Sequence, residues 1–328
     1  EIAQCLVGSE MCIRDRLLFE MTSKYGTPYF SNYINSDMEP SDVRSMCCRL
    51  RLDLRELRKK TGGFFGSGES TGSVGVVTIN MPRIAYLSAT KDDFYKRLNK
   101  MMDIAARSLK IKREVITKLL NEGLYPYTKR YLGTFENHFS TIGLIGMNEV
   151  GLNANWLRAD MTDKRTQEFT KEVLNHMRNR LSDYQEEYGD LYNLEATPAE
   201  STAYRLAKHD RAKWPDIKTA GHEGDTPYYT NSSHLPVDYT EDIFSALDIQ
   251  DDLQTLYTSG TVVHAFLGEK LPDWKAAASL VRKIAENYKL PYYTLSPTYS
   301  VCANDGYLAG EHFTCPICGK EAEVYSRI

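Results

Sequence analysis

The stretch Ser73-Val74-Gly75-Val76-Val77-Thr78-Ile79-Asn80-Met81-Pro82-Arg83 is an apolar, β-branched run that ends at a proline. A short run of this composition predicts a buried β-strand. A glycine-rich segment at residues 62–68 precedes it, and before that segment stand two adjacent cysteines, Cys47 and Cys48. Disulfide geometry disfavours a bridge between neighbours, so the usual expectation is two small buried apolar residues. The alternative is a cysteine that a loop carries into the middle of a barrel or sheet.

Strands and helices alternate along the rest of the chain. Compact apolar runs predict further strands at residues 139–146, 191–194, 261–267 and 290–295. Apolar residues at helical spacing predict helices at residues 92–123, 163–188 and 274–288. In the first helix the predicted core-facing stripe consists of Phe94, Leu98, Met101, Met102 and Ala105. Such alternation predicts an α/β architecture whose strands pair in parallel.

The composition is that of a globular protein without a broad basic surface. Hydrophobic residues make up 42% and charged residues 26% of the 328 residues, and the formal net charge is −4. This balance argues against nucleic-acid binding. No apolar run approaches the ~18 residues of a membrane span. The cysteines do not form a disulfide framework, which indicates a reducing, cytoplasmic compartment.

Both ends of the chain indicate a fragment of a longer protein. Residues 5–16 look like a translated sequencing adapter, so residues 1–16 are interpreted as a non-native segment. A genuine short amphipathic stretch is the alternative interpretation. Residues 325–328 carry no turn, cap or polar tail.

A polar loop at residues 195–202 is a candidate anion site. It follows a predicted strand and precedes a predicted helix, with Thr197 as the expected N-cap and Pro198 in the first turn. The free N–H groups of a helix N-terminus attract anions, and Ser201 and Thr202 add hydroxyl donors. Simple helix capping is the competing interpretation. Two further polar loops would either line a cavity or make ordinary turns: residues 225–234, which include Asn231, and residues 257–261.

The C-terminal cysteines predict a zinc site. Cys315 and Cys318 form a Cys-x-x-Cys knuckle, and Cys302 supplies a third sulfur. A structural zinc ion needs four ligands in a tetrahedron. Asp305 stands where a fourth cysteine or histidine would be expected, and His312 is a substitute candidate. A redox role for the knuckle is the alternative, but no thioredoxin-like βαβ pattern surrounds it.

These motifs together resemble the anaerobic (class III) ribonucleoside-triphosphate reductases. The resemblance rests on residues 46–49 and 75–85 and runs from residue 17 to the end of the chain. It implies an α/β fold, the ten-stranded barrel of ribonucleotide reductases and glycyl-radical enzymes, here partial, over residues 17–299. A small zinc-ribbon-like segment would follow at residues 300–328. By its position before an arginine, Cys48 matches the cysteine whose thiyl radical removes the hydrogen at C3′ of the ribose, with Cys47 as the alternative carrier.

The resemblance also implies site residues, cofactors and partners. The substrate's phosphates would lie against Thr197, Pro198, Ala199, Ser201 and Thr202, with Asn231 lining the cavity. Zinc would be held by Cys302, Asp305, Cys315 and Cys318. The radical would reside on a glycine beyond this chain, formed by an activating enzyme that uses S-adenosylmethionine and an iron–sulfur cluster. ATP and deoxynucleoside triphosphates would bind as effectors to regions that this chain lacks. The enzyme would be a cytoplasmic homodimer, and the fragment alone would be inactive.

Ser73 and Glu69 bear on the reductant. Formate-using members of the family carry an asparagine immediately before the strand, where this sequence has Ser73, with Glu69 nearby. An asparagine amide offers two N–H donors and an acceptor, whereas a serine hydroxyl offers a single donor on a shorter arm. A thiol reductant such as a thioredoxin or glutaredoxin system is therefore favoured over formate.

Two other functional interpretations stay open at this point. Another glycyl-radical enzyme, such as a formate lyase, also uses adjacent cysteines, but it acts on small acids and lacks this zinc cluster. A zinc-ribbon interaction module would catalyse no reaction, and it would not need Cys47 and Cys48 in a buried setting.

Overall fold

The computed structural model describes residues 13–37, 43–46, 49–51, 71–221, 226–236, 242–267 and 271–325. The chain divides into two compact units. The first unit consists of Glu1–Glu39, Val237–Asp252 and Val262–Ile328, and the second of Pro40–Pro236 and Leu253–Thr261. The predicted boundaries after residues 16 and 299 both fall inside the first unit, and helix α1 begins at Ile13, before the first of them.

The described ranges contain helices and strands in the following chain order. The helices are α1 (Ile13–Tyr25), α2 (Met81–Tyr86), α3 (Lys91–Asn121), α4 (Pro126–Tyr131), α5 (Met147–Asn153), α6 (Lys164–Tyr188), α7 (Glu200–Lys213), α8 (Ile243–Gln254) and α9 (Trp274–Asn287). The strands are β1 (Tyr29–Ser31), β2 (Val43–Met46), β3 (Arg49–Arg51), β4 (Gly72–Asn80), β5 (His138–Ile145), β6 (Leu191–Glu195), β7 (Val263–Leu267), β8 (Tyr292–Pro297), β9 (Tyr299–Cys302), β10 (Gly306–Ala309) and β11 (Ala322–Tyr325). Among the helices of these ranges, none is both long and apolar enough to cross a membrane.

A parallel sheet forms the core of the second unit. Its strands pair in the order β4–β5–β6, with Gly143 of β5 level with Thr78 on one side and Glu195 on the other. Every residue of β5 and β6 is buried, whereas most of β4 is only partly buried. Strands buried on both faces are typical of parallel sheets covered by helices. The predicted strands and their parallel pairing are confirmed here.

The helical pattern at residues 92–123, which is compatible with one or two helices, forms the single continuous helix α3. Thr90 caps its N-terminus by accepting a hydrogen bond from the N–H of Asp93, and Gly123 follows its end with a φ of +87°. A left-handed residue after the last turn is a common way for a helix to stop. Phe94, Leu98, Met102 and Ala105 of the predicted stripe are buried. The prediction was wrong for Met101, which is 42% exposed because it lies one residue off the core-facing direction.

The first unit contains a mixed sheet and a small antiparallel sheet. β8 pairs with β7 in parallel and with β1 in antiparallel orientation. Apolar side chains of α1, α8 and α9 pack with this sheet in one buried cluster. β9 lies between β10 and β11, and it ends at Cys302. The α/β class is thus confirmed, and the described sheets have two or three strands each.

A buried arginine attaches α3 to the beginning of β5. Arg113 is 7% exposed and donates from Nη1 to the carbonyl of Phe135 at 2.7 Å. Its Nη2 donates to the carbonyl of His138 at 2.6 Å and to Oγ of Ser140 at 3.2 Å. Asp190, 3.5 Å from Nε, balances the charge. These contacts supply hydrogen-bond donors to backbone carbonyls at and just before the start of β5, so the arginine holds this end of the strand in position.

Replacing Arg113 by methionine should destabilise the fold, because the carbonyls of Phe135 and His138 lose a hydrogen-bond donor and Asp190 loses one of its two cationic neighbours, the other being Lys110 at 3.0 Å. We expect a loss of about 3 kcal/mol in the free energy of unfolding, measured by urea denaturation. Lys118→Met on the same helix is the matched control, since Lys118 is 74% exposed and pairs only with Glu122. The control should change stability by less than about 0.5 kcal/mol. Equal effects of the two substitutions would contradict this role of Arg113.

Candidate functional site

The carboxyl ends of three parallel strands meet at one edge of the sheet in the second unit. β4 ends at Asn80, β5 at Ile145 and β6 at Glu195. Because the strands run in the same direction, the segments that follow them converge at this edge. Ligands of open α/β sheets bind at such edges. The predicted phosphate loop begins here, directly after β6.

Thr197 lies against the centre of the sheet. A Cβ atom added to Gly143 would fall 1.7 Å from Oγ1 of Thr197, so only glycine in β5 leaves room for this side chain. The carbonyl of Thr197 accepts a hydrogen bond from Oγ of Ser232 at 3.3 Å. Its own Oγ1 is buried and has no hydrogen-bond partner among the described residues. This hydroxyl is therefore available to a bound group at the edge of the sheet.

The prediction that Thr197 caps the following helix was wrong. α7 begins at Glu200, its N-cap is Ala199, and no side chain accepts a hydrogen bond from its first turn. Thr197 stands two residues too early to cap, because its side chain packs against Gly143 instead. Ser201 is exposed and Thr202 is partly buried in the first turn of α7. The uncapped N–H groups keep the capacity to bind an anion.

The segment at residues 226–236 lies beside this loop and carries Asn231. Asn231 forms an isolated antiparallel bridge with Ile145 at the end of β5. The N–H of Gly146 donates to the carbonyl of Thr230 at 2.8 Å, and the N–H of Met147 donates to that of Ser232 at 2.9 Å. Oδ1 of Asn231 is buried without a hydrogen-bond partner among the described residues. The structure thus brings Asn231 to the same edge of the sheet as Thr197.

Residues 257–261 lie along the end of β6. The N–H groups of Thr258 and Ser259 both donate to the carbonyl of Leu194, at 3.0 and 2.8 Å. Oγ1 of Thr258 accepts from the N–H of Leu194 at 2.9 Å. These bonds serve the backbone of β6, as ordinary turn chemistry would. The predicted role of this loop as a cavity wall stays a prediction.

Ser73 lies at the other end of β4. It precedes Asn80 by seven residues, which corresponds to about 23 Å of extended strand. Its hydroxyl lies 3.1 Å from both the carbonyl of Gly75 and Oγ1 of Thr141. The structure does not bring Ser73 to the edge that carries Thr197. Cys47, Cys48 and Glu69 lie outside the described residues, and the strands on either side of the cysteine pair, β2 and β3, are antiparallel partners.

Sequence reasoning missed two buried carboxylates at this edge, Glu149 of α5 and Asp210 of α7. Both are 0% exposed, and both accept hydrogen bonds from the 226–236 segment. The position of Asn148 and Glu149 directly after a buried strand was a usable signal for the first. Asp210 sits in the middle of a polar helix, where nothing in the sequence distinguishes it from a solvated aspartate.

The first unit contains a candidate metal centre. Ligand atoms of Cys302, Asp305, Cys315 and Cys318 all lie within 4.8 Å of one another. Sγ of Cys302 is 3.5 Å from Sγ of Cys318, and Sγ of Cys315 is 3.2 Å from Oδ2 of Asp305. Sulfurs bound to one tetrahedral zinc ion stand about 3.8 Å apart, so the four side chains fit this ion. Asp305, not His312, is the fourth member of the group.

The protonation of this cluster follows from its hydrogen bonds. Backbone N–H groups of Asp305 and Asn304 lower the pKa of Cys302. A hydrogen bond to the carboxylate of Asp305 raises the pKa of Cys318 to about 12. The same contact, together with one from Cys315, lowers the pKa of Asp305. The thiol of Cys318 thus holds its proton against a carboxylate, and a bound cation would take the place of that proton.

Comparison with known proteins agrees on one family. The family model described as anaerobic ribonucleoside-triphosphate reductase matches residues 12–328. The enzyme of this name from Haemophilus influenzae is 26% identical over 284 residues, covering 78% of this chain and 39% of the relative. That of phage T4 is 24% identical over 302 residues, covering 85% of this chain and 47% of the relative. The chain therefore spans less than half the length of these curated relatives.

Solved structures show the same fold. The anaerobic ribonucleotide reductase of Thermotoga maritima with MES in its active site matches with a TM-score of 0.73 and 22% identity, over 96% of this chain and 50% of that one. The same enzyme with dATP bound in its specificity site matches with a TM-score of 0.63 and 25% identity, over 79% of this chain and 42% of that one.

Gly143→Ala should destabilise the fold by about 1–3 kcal/mol, because the new methyl group collides with Oγ1 of Thr197 at the packed edge of the sheet. Urea denaturation measures the effect. Gly75→Ala in β4 is the matched control, since its methyl group would meet only the flexible end of Lys112. The control should remain within about 0.5 kcal/mol of the parent. A Gly143 variant as stable as the control would show that Thr197 does not lie against β5.

Proposed function

Because this chain belongs to the anaerobic ribonucleoside-triphosphate reductase family, we propose that it forms part of an enzyme that reduces ribonucleoside triphosphates to deoxyribonucleotides without oxygen. The observation that carries this proposal is the family match over residues 12–328, and the uncapped start of α7 near the carboxyl edge of a parallel sheet supports it. The match favours this activity over a formate-lyase-type reaction or an inert zinc-ribbon module. The activity belongs to the longer protein, and the chain alone should be inactive.

We infer that the sheet β4–β5–β6 belongs to a ten-stranded α/β barrel. Among the described residues, β4 has a single sheet partner, β5, so its other edge is open to a further strand. Helix α3 contacts α6 through Asn99 and Asp103. The opposite side of α3 carries a stripe of apolar residues that are 42–54% exposed: Met101, Ile104, Ile111 and Val115. A strand and helix from the rest of the protein would pair with β4 and cover this stripe.

The triphosphate of the substrate would bind at the start of α7. The first-turn N–H groups of α7 have no side-chain cap, and Oγ1 of Thr197 has no partner among the described residues. Ser201 and Thr202 add hydroxyl donors, while Pro198 and Ala199 shape the loop. Asn231, which bridges to Ile145 at the same edge of the sheet, would line the substrate cavity from the neighbouring segment.

The hydrogen at C3′ of the ribose would be removed by Cys48. In the family this cysteine is oxidised to a thiyl radical by a glycyl radical, whose glycine lies beyond this chain and which a radical S-adenosylmethionine enzyme generates. β2 and β3 would support the loop that carries Cys48 and Cys47. The complete protein would be a cytoplasmic homodimer, with ATP and deoxynucleoside triphosphates as effectors bound outside this chain.

A small dithiol protein is the proposed reductant. Ser73 stands where formate-using members carry an asparagine, and its hydroxyl is already engaged with Gly75 and Thr141. It therefore offers no free donor to orient a formate ion. Glu69 would act as a proton-transfer group during reduction by the dithiol.

In the full-length protein, Cys48→Ser should abolish deoxynucleotide formation, because a serine O–H bond is too strong for the glycyl radical to break. Cys47→Ser is the matched control and should retain turnover. The measurement is deoxynucleotide formation by the activated enzyme under anaerobic conditions with a dithiol reductant. Turnover by the Cys48 variant together with its loss in the Cys47 variant would assign the radical to Cys47. Turnover in neither the parent nor the control would refute the proposed activity.

Zinc held by Cys302, Asp305, Cys315 and Cys318 would crosslink the antiparallel sheet β10–β9–β11. Purified protein should contain about one zinc ion per chain, the number that one tetrahedral site holds. Cys315→Ser should remove the metal and lower the melting temperature. Metal analysis and thiol titration measure the outcome. Metal-free protein with freely titratable thiols would count against the site.

A further inference from the structure

Two buried carboxylates hold adjacent residues of the 226–236 segment. Glu149 of α5 accepts hydrogen bonds from the N–H of Thr230 at 2.9 Å and from Oγ1 of Thr230 at 2.7 Å. Nδ2 of Asn148 donates to the same carboxylate at 2.9 Å. Both groups that Thr230 can donate are therefore bound by one side chain, which fixes the position and the rotamer of this residue.

Asp210 of α7 holds the preceding residue. It accepts hydrogen bonds from the hydroxyl of Tyr229 at 2.9 Å and from Nδ2 of Asn80 at 2.8 Å. Nε and Nη2 of Arg83 contact its other oxygen at 2.7 and 2.6 Å, in a two-pronged ion pair. One carboxylate thus connects the end of β4, the start of α2, the helix α7 and the 226–236 segment.

A contribution to folding stability does not by itself explain why these two carboxylates are buried. Removing a carboxylate from water costs free energy that its hydrogen bonds only partly offset, and apolar side chains of similar shape often stabilise a core as well. Burial raises the pKa of Glu149, which shows the cost of its charge. The hydrogen bonds instead hold the 226–236 segment in a single geometry, because a satisfied buried polar network specifies one arrangement.

These contacts define the positions of the next two residues, Asn231 and Ser232. Ser232 has a φ of +40°, an unfavourable conformation for a residue with a side chain, and its hydroxyl donates to the carbonyl of Thr197. On the far side, Oγ of Ser233 accepts from the hydroxyl of Tyr257 at 2.9 Å. The strained turn is thus held from both sides, directly beside the loop that leads into α7.

We propose that Glu149 and Asp210 are positioning residues, which hold Asn231, Ser232 and the N-terminus of α7 in the arrangement that receives the triphosphate of the nucleotide. The nucleotide-binding part of this inference rests on the proposed function. The part that concerns how the two carboxylates hold the 226–236 segment does not. The two carboxylates touch no substrate themselves. They act through Tyr229 and Thr230, so the effect is tested at those two residues.

The test uses variants of the full chain that each remove one hydroxyl. Tyr229→Phe removes the hydroxyl contact to Asp210, and Thr230→Val removes the hydroxyl contact to Glu149 but leaves the backbone N–H contact in place. Thr230→Ser retains the hydroxyl as a conservative rescue. The matched controls are Tyr293→Phe and Thr170→Val, which remove buried hydroxyls that donate to the carbonyls of Val281 and Thr166 elsewhere in the chain. The measurements are amide hydrogen exchange, stability in urea, and the affinity for CTP.

Tyr229→Phe and Thr230→Val should speed amide exchange at residues 229–233 and weaken CTP binding, each about tenfold, as expected for the loss of one hydrogen bond to a charged group. The two controls should lose similar stability but keep the exchange rate of this segment and the CTP affinity. Thr230→Ser should behave like the parent. Equal exchange of residues 229–233 in all variants, or faster exchange with unchanged CTP affinity, would overturn the positioning role. If the parent itself binds no CTP, the proposed phosphate site in this chain fails, and the exchange data alone decide whether the carboxylates fix the segment.

Discussion

The parallel pairing of β5 with both β4 and β6 is the constraint on which the second unit depends. Every residue of β5 is buried, so the strand tolerates neighbours only in one register. That register sets the carboxyl ends of three strands side by side and brings Gly143 level with Glu195. Because Gly143 has no side chain, Thr197 can approach the sheet closely. The position of the predicted phosphate loop is thus a consequence of one glycine in one central strand.

The pairing of the sheet does not determine the position of the 226–236 segment. That segment pairs with β5 through the isolated bridge between Asn231 and Ile145, which is too little to define its course. Buried carboxylates supply the missing definition, since Glu149 and Asp210 bind two successive residues from two different helices. A buried charge adds little to the net stability of a fold, but it strongly favours the one arrangement of its neighbours that satisfies its hydrogen bonds. The edge of the sheet therefore combines apolar packing, which determines the fold, with polar contacts that determine the geometry of a site.

The small antiparallel sheet of the first unit follows another principle. Its buried cluster consists of Cys302, Leu308, Cys315 and Ala322, which is too little apolar surface to order a segment of this length. Two of these four residues are members of the candidate metal centre. Ligand bonds to a metal ion can take the place of a core in small segments. The cysteine spacing that predicts a metal site would then also account for the order of the segment.

The amino-acid sequence by itself determined most of the elements and the grouping of side chains at the candidate metal centre. Alternating apolar runs predicted β5, β6, α3 and α6, because burial imposes a period on each segment independently of its neighbours. The cysteine knuckle and Asp305 could be found because metal ligands lie close together in the chain. Only the tertiary structure showed that Thr197 packs on Gly143 instead of capping α7, that Met101 is exposed, and that Glu149 and Asp210 are buried. The packing of Thr197 on Gly143, 54 positions away, and the contact of Asp210 with Asn80, 130 positions away, are not recorded in any local pattern of the sequence.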